Sequence, residues 1–173
     1  RALALDPALV IADEPTAGLD VSIQGDILNL MADLKRERGI GLMIITHNLP
    51  VIRHSAERLA VLYLGRLVET GPTDEVFARP AHPYTASLIA SQPNPDPRKR
   101  RADLAIKGEI PSLLRRPSGC PFHTRCPVAR DVCARVPPPE IHISAGRRVQ
   151  CHFPLVQPGK ECRQDQSRGR TRT

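Results

Sequence analysis

The sequence has no tryptophan, and aromatic residues make up only 3 % of it. That poverty excludes a core built on large rings and an aromatic platform for stacking nucleobases. No run of about 18 uninterrupted apolar residues occurs, so no membrane-spanning helix is expected. The pattern G-x-x-x-x-G-K-[ST] does not occur; Pro154 stands where the first glycine of the Gly159-Lys160 pair would belong. A backbone cradle for phosphates is therefore absent from these residues. No internal repeat is visible.

Apolar residues make up an ordinary 40 % of the 173, enough for a modest aliphatic core. The chain starts at Arg1, and "RALALDP" reads as the tail of a helix already under way, so a piece of a longer protein is expected. The net charge is +7 and much of the excess comes late: the run "RKRR" from Arg98, Arg115-Arg116, Arg147-Arg148, and Arg163, Arg168, Arg170 and Arg172. With no reading helix or aromatic platform beside it, this charge reads as solvated loops and a disordered end. No specific nucleic-acid partner is expected, and proximity to anionic lipid or a membrane partner is compatible with the charge.

The chain divides into unlike parts. Residues 1–91 read as an α/β unit. "ALVIAD" and "IGLMIITH" have the look of buried parallel strands. Between them "VSIQGDILNLMADLKRERG" carries Ile23, Ile27, Leu30, Met31 and Leu34 at helical spacing, with Asp20 placed to cap it and Gly39 to end it. Strand, helix and strand in this order imply a parallel pair with a crossover. A short helix is expected in "LPVIRHSAERL", a hairpin around Gly65, and a helix in "TDEVFARP" with Thr73 as cap and Pro80 as stop. A last helix, "HPYTASLIAS", would pack Tyr84, Leu88 and Ile89 on the first half. Residues 92–104 read as a basic, proline-rich linker, 105–156 as a cysteine-rich extension with little periodicity, and 157–173 as a disordered basic tail.

Asp13 and Glu14 close the first strand, at the carboxyl edge where open α/β sheets bind ligands. Adjacent like charges are tolerated where a cation is expected. Asp13 suits a hard ion such as Mg²⁺, and Glu14 is then placed to polarise a water molecule. His47 ends the next strand at the same edge and can donate to a phosphate oxygen. "LVIADEP" resembles the Walker B strand of ABC-transporter ATPases, "AGLD" their D-loop, and "IITH" their switch-histidine loop, in matching order. The resemblance implies the C-terminal part of a P-loop NTPase domain. It makes Asp13 a ligand of Mg²⁺, Glu14 the general base, His47 a contact to the γ-phosphate of ATP, and Asp20 a bridge to a second ATPase domain, from a homodimer or a second subunit. In that family the signature sequence lies just before "RALALDP". The piece alone is therefore expected to bind ATP weakly and not to hydrolyse it.

Four cysteines follow as Cys120-x5-Cys126-x6-Cys133-x17-Cys151. Soft thiolates so spaced suit a disulfide framework, structural zinc or an iron–sulfur cluster, and spacing alone leaves the three open. Cys162 reads as a free thiol, and His123 and His152 as neighbours rather than ligands. "RPAHPYTASLIASQP" and "GEIPSLLRRPSGCPFHTRCPVARDVC" followed by "VQCHFP" resemble the C-terminal extension of oligopeptide, dipeptide and nickel importer ATPases. That resemblance implies a [4Fe–4S] cluster on Cys120, Cys126, Cys133 and Cys151, with Zn²⁺ as the alternative. It also implies membrane permease subunits as partners and a peripheral place on the cytoplasmic face of the inner membrane. Two rival functions remain compatible with the residues: a non-catalytic metal-binding or interaction module on a remnant ATPase scaffold, and an ABC ATPase with no membrane partner.

Overall fold

A computed structural model describes residues 3–92 and 108–158. The expected linker beyond Gln92 and the basic tail beyond Pro158, with Cys162, lie outside the described residues. The elements run β1 (Leu9–Asp13), α1 (Val21–Arg38), β2 (Gly41–Ile45), α2 (Leu49–Ser55), β3 (Arg58–Tyr63), β4 (Arg66–Pro72), α3 (Thr73–Ala78) and α4 (Pro83–Ala90). After the undescribed stretch come α5 (Asp131–Arg135), β5 (Glu140–Ser144) and β6 (Arg147–Gln150). Among the described residues no helix is long and apolar enough to cross a membrane.

The β1–α1–β2 unit forms as its local chemistry dictates. The Asp20 carboxylate accepts from the Ile23 N–H and Gly39 ends α1 in the left-handed conformation, with Lys35, Arg36 and Arg38 in the last turn complementing the helix dipole. β1 and β2 pair in parallel, from Leu9 opposite Gly41 to Asp13 opposite Ile45. The strands are less buried than expected. Leu9, Ile11, Met43 and Ile45 are 45–59 % exposed, because among the described residues no second layer covers that face of a two-stranded sheet.

The second sheet is antiparallel, ordered β3-β4-β6-β5. β3 and β4 form the expected hairpin, closed by Leu64 and Gly65, both at positive φ. β5 and β6 were not anticipated; they place strands of the cysteine-rich segment against β4, so both sides of the expected linker share one sheet. Thr73 does not cap α3. Pro72 takes that position, and Thr73 is the first helical residue, its buried hydroxyl without a partner among the described residues. Tyr84 packs on the first half as expected, and on the extension as well. Its ring meets Tyr63 at 4.7 Å and Phe122 of the extension at 5.3 Å, while Tyr63 and Phe122 meet at 5.2 Å. A core cluster of Tyr63, Val68, Cys120, Phe122 and Cys133 grows around these rings.

One polar group sits at the junction of the two segments. Arg147 Nη2 meets Glu69 Oε1 at 2.9 Å, and the two side chains are 1 % and 0 % exposed. Glu69 also accepts from the N–H groups of Ala81 and His82, each at 2.9 Å. Arg147 donates to the carbonyls of Glu75 and Arg79, at the C-terminal end of α3. Close packing recurs at Gly119, whose φ is +65° and where an added Cβ would stand 2.4 Å from the Cys133 carbonyl oxygen. Gly119→Ala is expected to cost more than about 1 kcal/mol, read as a lowered midpoint in urea. An unchanged midpoint would refute this close packing.

Candidate functional site

Glu14 leaves β1 with φ of 45°, a left-handed conformation that costs a residue other than glycine about 1–3 kcal/mol. Its N–H donates to the Ile45 carbonyl at 2.8 Å, carrying the parallel ladder one residue beyond Asp13. The turn delivers the carboxylate to the end of β2. There Oε1 lies 2.6 Å from His47 Nδ1 and accepts from the His47 N–H at 3.1 Å, while Oε2 accepts from the Thr46 hydroxyl at 3.0 Å. Thr46 Oγ1 accepts in turn from the Asn48 N–H at 3.1 Å, which fixes its orientation.

The hydrogen bond from His47, helped by that from Thr46 and opposed by desolvation, holds the Glu14 carboxyl below the usual carboxylate range. The sign follows from that direction. These contacts favour the fold above the ordinary pKa of a glutamate and are lost as pH falls through Glu14's own lower value. The His47 side chain is 87 % exposed and that of Glu14 35 %, so the imidazole can swing away while the carboxylate stays.

The structure thus brings Glu14 and His47 into contact. Asp13 stands beside them on the same rim, exposed and without a partner for its carboxylate among the described residues, chemically free to meet a hard cation. Asp20 is exposed and occupied in capping α1, through the Ile23 N–H at 3.0 Å. Thr46 was missed by sequence reasoning; the signal available was a hydroxyl immediately before the strand-ending histidine. A groove of about 1110 Å³ opens between β2, α2, β3 and α4, lined by Ile44, His47, Val61 and Leu88, and neither Asp13 nor Glu14 lines it.

A second constellation lies in the extension. Cys120, Cys126, Cys133 and Cys151 line one cavity of about 10 Å³, room for roughly one water molecule. All four are free thiols. Backbone N–H groups reach three of the sulfurs: those of Phe122 and His123 reach Cys120, Val128 reaches Cys126, and Phe153 reaches Cys151. Burial and the neighbouring thiols push Cys120 and Cys126 upward, and Cys151 up to about 12. With Cys120, Cys126 and Cys151 held protonated and Cys120, Cys133 and Cys151 buried, iodoacetamide at pH 8 is expected to label the metal-free native chain far more slowly than the unfolded chain. Equal labelling rates would contradict that burial.

Among the described residues no group of three or more His, Cys, Asp or Glu side chains is arranged to hold a metal ion. The four cysteines share a cavity but are not gathered as the ligands of either a zinc ion or an iron–sulfur cluster. His123 Nδ1 lies 2.9 Å from the Cys120 carbonyl oxygen and His152 Nε2 2.9 Å from that of Val136, so each ring donates one N–H to the backbone.

Comparison with known proteins bears on this segment directly. Residues 68–133 match the family model of the oligopeptide/dipeptide transporter, C-terminal region. The matched residues include most of β4, all of α3 and α4, and three of the four cysteines, while Glu14 and His47 precede them. The wider chain is 53 % identical over 152 residues to the "Probable peptide ABC transporter ATP-binding protein y4tS" of Sinorhizobium fredii, covering 88 % of this chain and 43 % of that protein. It is 48 % identical to the oligopeptide transport ATP-binding protein OppF of Escherichia coli, covering 80 % of this chain and 42 % of that one. With the di/tripeptide transport ATP-binding protein DppF of Pseudomonas aeruginosa the identity is 46 %, over 88 % of this chain and 47 % of the relative. The chain therefore spans less than half the length of these curated relatives.

Proposed function

We propose that this chain is the C-terminal part of an ATP-hydrolysing subunit that energises import of oligopeptides or dipeptides across the bacterial cytoplasmic membrane. Residues 1–91 supply part of the nucleotide-binding domain, and residues 105–156 the cysteine-bearing extension. The contact between Glu14 and His47 across the ends of two parallel strands carries this reading. The similarity of most of the chain to peptide-transport ATP-binding proteins supports it.

In this reading Asp13 holds Mg²⁺, which neutralises charge on the phosphate oxygens of ATP. Glu14 orients the attacking water and accepts its proton at Oε1. While His47 Nδ1 occupies that oxygen, Glu14 is less available as a base. When the exposed imidazole turns to a γ-phosphate oxygen, Oε1 is released at the moment its proton-accepting role begins. Asp20, at the head of α1, meets the second ATPase domain, a homologous subunit or another copy. Permease subunits receive the work, which places the protein peripherally on the cytoplasmic face of the inner membrane. Co-purification of the full-length subunit with permease subunits, and ATP hydrolysis by that assembly, test the proposal; an assembly that binds no nucleotide overturns it. The 173-residue chain by itself is expected to show no turnover, because no phosphate loop lies within it.

Cys120, Cys126, Cys133 and Cys151 are the proposed ligands of a [4Fe–4S] cluster. The soft donor set and the N–H groups directed at sulfur support it, since such donors favour thiolates and a cationic core would reverse the upward pull of burial. Anaerobic reconstitution with iron and sulfide is expected to give bound iron and broad visible absorption. A preparation with neither removes the cluster from the proposal.

A further inference from the structure

We propose that Thr46 is the positioning residue for Glu14: its hydroxyl fixes the plane of the carboxylate, so that Oε1 still faces the attacking water after the His47 imidazole has turned away. The assignment deepens the reading of Glu14 given above and rests on it. Oε1 meets His47 Nδ1 at 2.6 Å and the His47 N–H at 3.1 Å, while Oε2 accepts from the Thr46 hydroxyl at 3.0 Å. The imidazole is the contact free to leave, because the His47 side chain is 87 % exposed. What remains is one donor on each oxygen, the backbone N–H of His47 and the hydroxyl of Thr46. Both stand directly after β2, on consecutive residues.

A carboxylate held at both oxygens is locked about its last bond, a torsion that is otherwise broad. Without the Thr46 hydroxyl it would pivot on the His47 N–H alone. The hydroxyl is itself aimed. Its oxygen accepts from the Asn48 N–H at 3.1 Å, and its single proton goes to the carboxylate. Asn48 is anchored in turn as the cap of α2, where its side-chain oxygen accepts from the Val51 N–H at 3.4 Å. The chain from α2 through Asn48 and Thr46 to Glu14 therefore ties the base to a helix that does not move with the imidazole. A base must lie within hydrogen-bond reach of the proton it takes, and a misplacement of about 1 Å costs on the order of 100-fold in rate.

Two substitutions separate the hydroxyl from the shape of the side chain. Thr46→Val keeps the branching and removes the hydroxyl; Thr46→Ser keeps the hydroxyl. The test is ATP turnover and equilibrium nucleotide binding by the full-length subunit, assembled with its second ATPase domain and permeases. Thr46→Val is expected to lower kcat by about 10-fold, with KM and nucleotide affinity within about two-fold of the parent. Thr46→Ser is expected to stay within about three-fold of the parent in kcat. Added to Glu14→Gln, Thr46→Val is expected to cost less than about two-fold more, because no base is left to position. A Thr46→Val kcat equal to the parent's, an equal loss in Thr46→Ser, or a loss that multiplies that of Glu14→Gln overturns the role of Thr46 and leaves the reading of Glu14 standing. A Glu14→Gln assembly that turns over as the parent does overturns that reading, and the role of Thr46 with it. If Thr46→Val does not assemble, Thr46→Ala, which also lacks the hydroxyl, takes its place in each comparison with the same outcomes.

Discussion

Replacing Glu14 with glutamine in the full-length subunit, assembled with its second ATPase domain and permeases, is expected to lower ATP turnover by about 100-fold or more. The amide keeps the shape of the side chain and one oxygen acceptor, so the contacts to the Thr46 hydroxyl or the His47 N–H can be retained in part. What it loses is the capacity to take a proton. Nucleotide affinity is expected to change little, because in this reading Glu14 touches the attacking water and not the phosphates. Steady-state hydrolysis together with equilibrium nucleotide binding checks both halves. Turnover within a few-fold of the parent would remove Glu14 from the chemistry and leave it as a brace between the ends of two strands.

The second large effect concerns the fold. Arg147→Met is expected to destabilise the chain by about 3–5 kcal/mol, because it strands the Glu69 carboxylate as an unpaired charge in the interior. The loss goes beyond the pair. The guanidinium also satisfies the Glu75 and Arg79 carbonyls at the end of α3, which would be left without that donor. The double substitution Glu69→Leu with Arg147→Met removes the buried charge along with its partner. It is expected to recover part of the loss, though the N–H groups of Ala81 and His82 then lack their acceptor. Urea denaturation of the three proteins measures this. A single variant as stable as the parent would show the pair to be energetically neutral.

Much of the first half could be read from the residues. Asp20 and Gly39 bracket α1 because capping and termination are local chemistry, expressed within a few residues of the helix ends. β1 and β2 were visible as apolar runs, and their parallel pairing followed from the helix between them. What local patterns could not carry was contact across long separations. Glu14 and His47 are 33 residues apart, and their 2.6 Å contact depends on a left-handed turn at a residue with no conformational signature of its own. β5 and β6 are short, and Arg147 begins a strand as a buried cation whose partner is distant, so alternation alone did not reveal them. The exposure of Leu9, Ile11, Met43 and Ile45 could not be foreseen either, since an apolar run records what a strand can bury and not which layers are at hand. The cysteine spacing identified a shared site but left its chemistry open, because sulfur-to-sulfur geometry is set by the fold around it.

The union of β4 with β6 has a consequence for biosynthesis. Arg147 follows Glu69 by 78 residues, an interval that takes a ribosome on the order of ten seconds to traverse. Until Arg147 emerges, a nascent chain must keep Glu69 hydrated and one flank of the β3–β4 hairpin unzipped, ready to be shielded by a chaperone or captured by the wrong neighbour. Translation stalled within that interval would release a polypeptide able to make its first helix yet unable to close the sheet that fixes its cysteines.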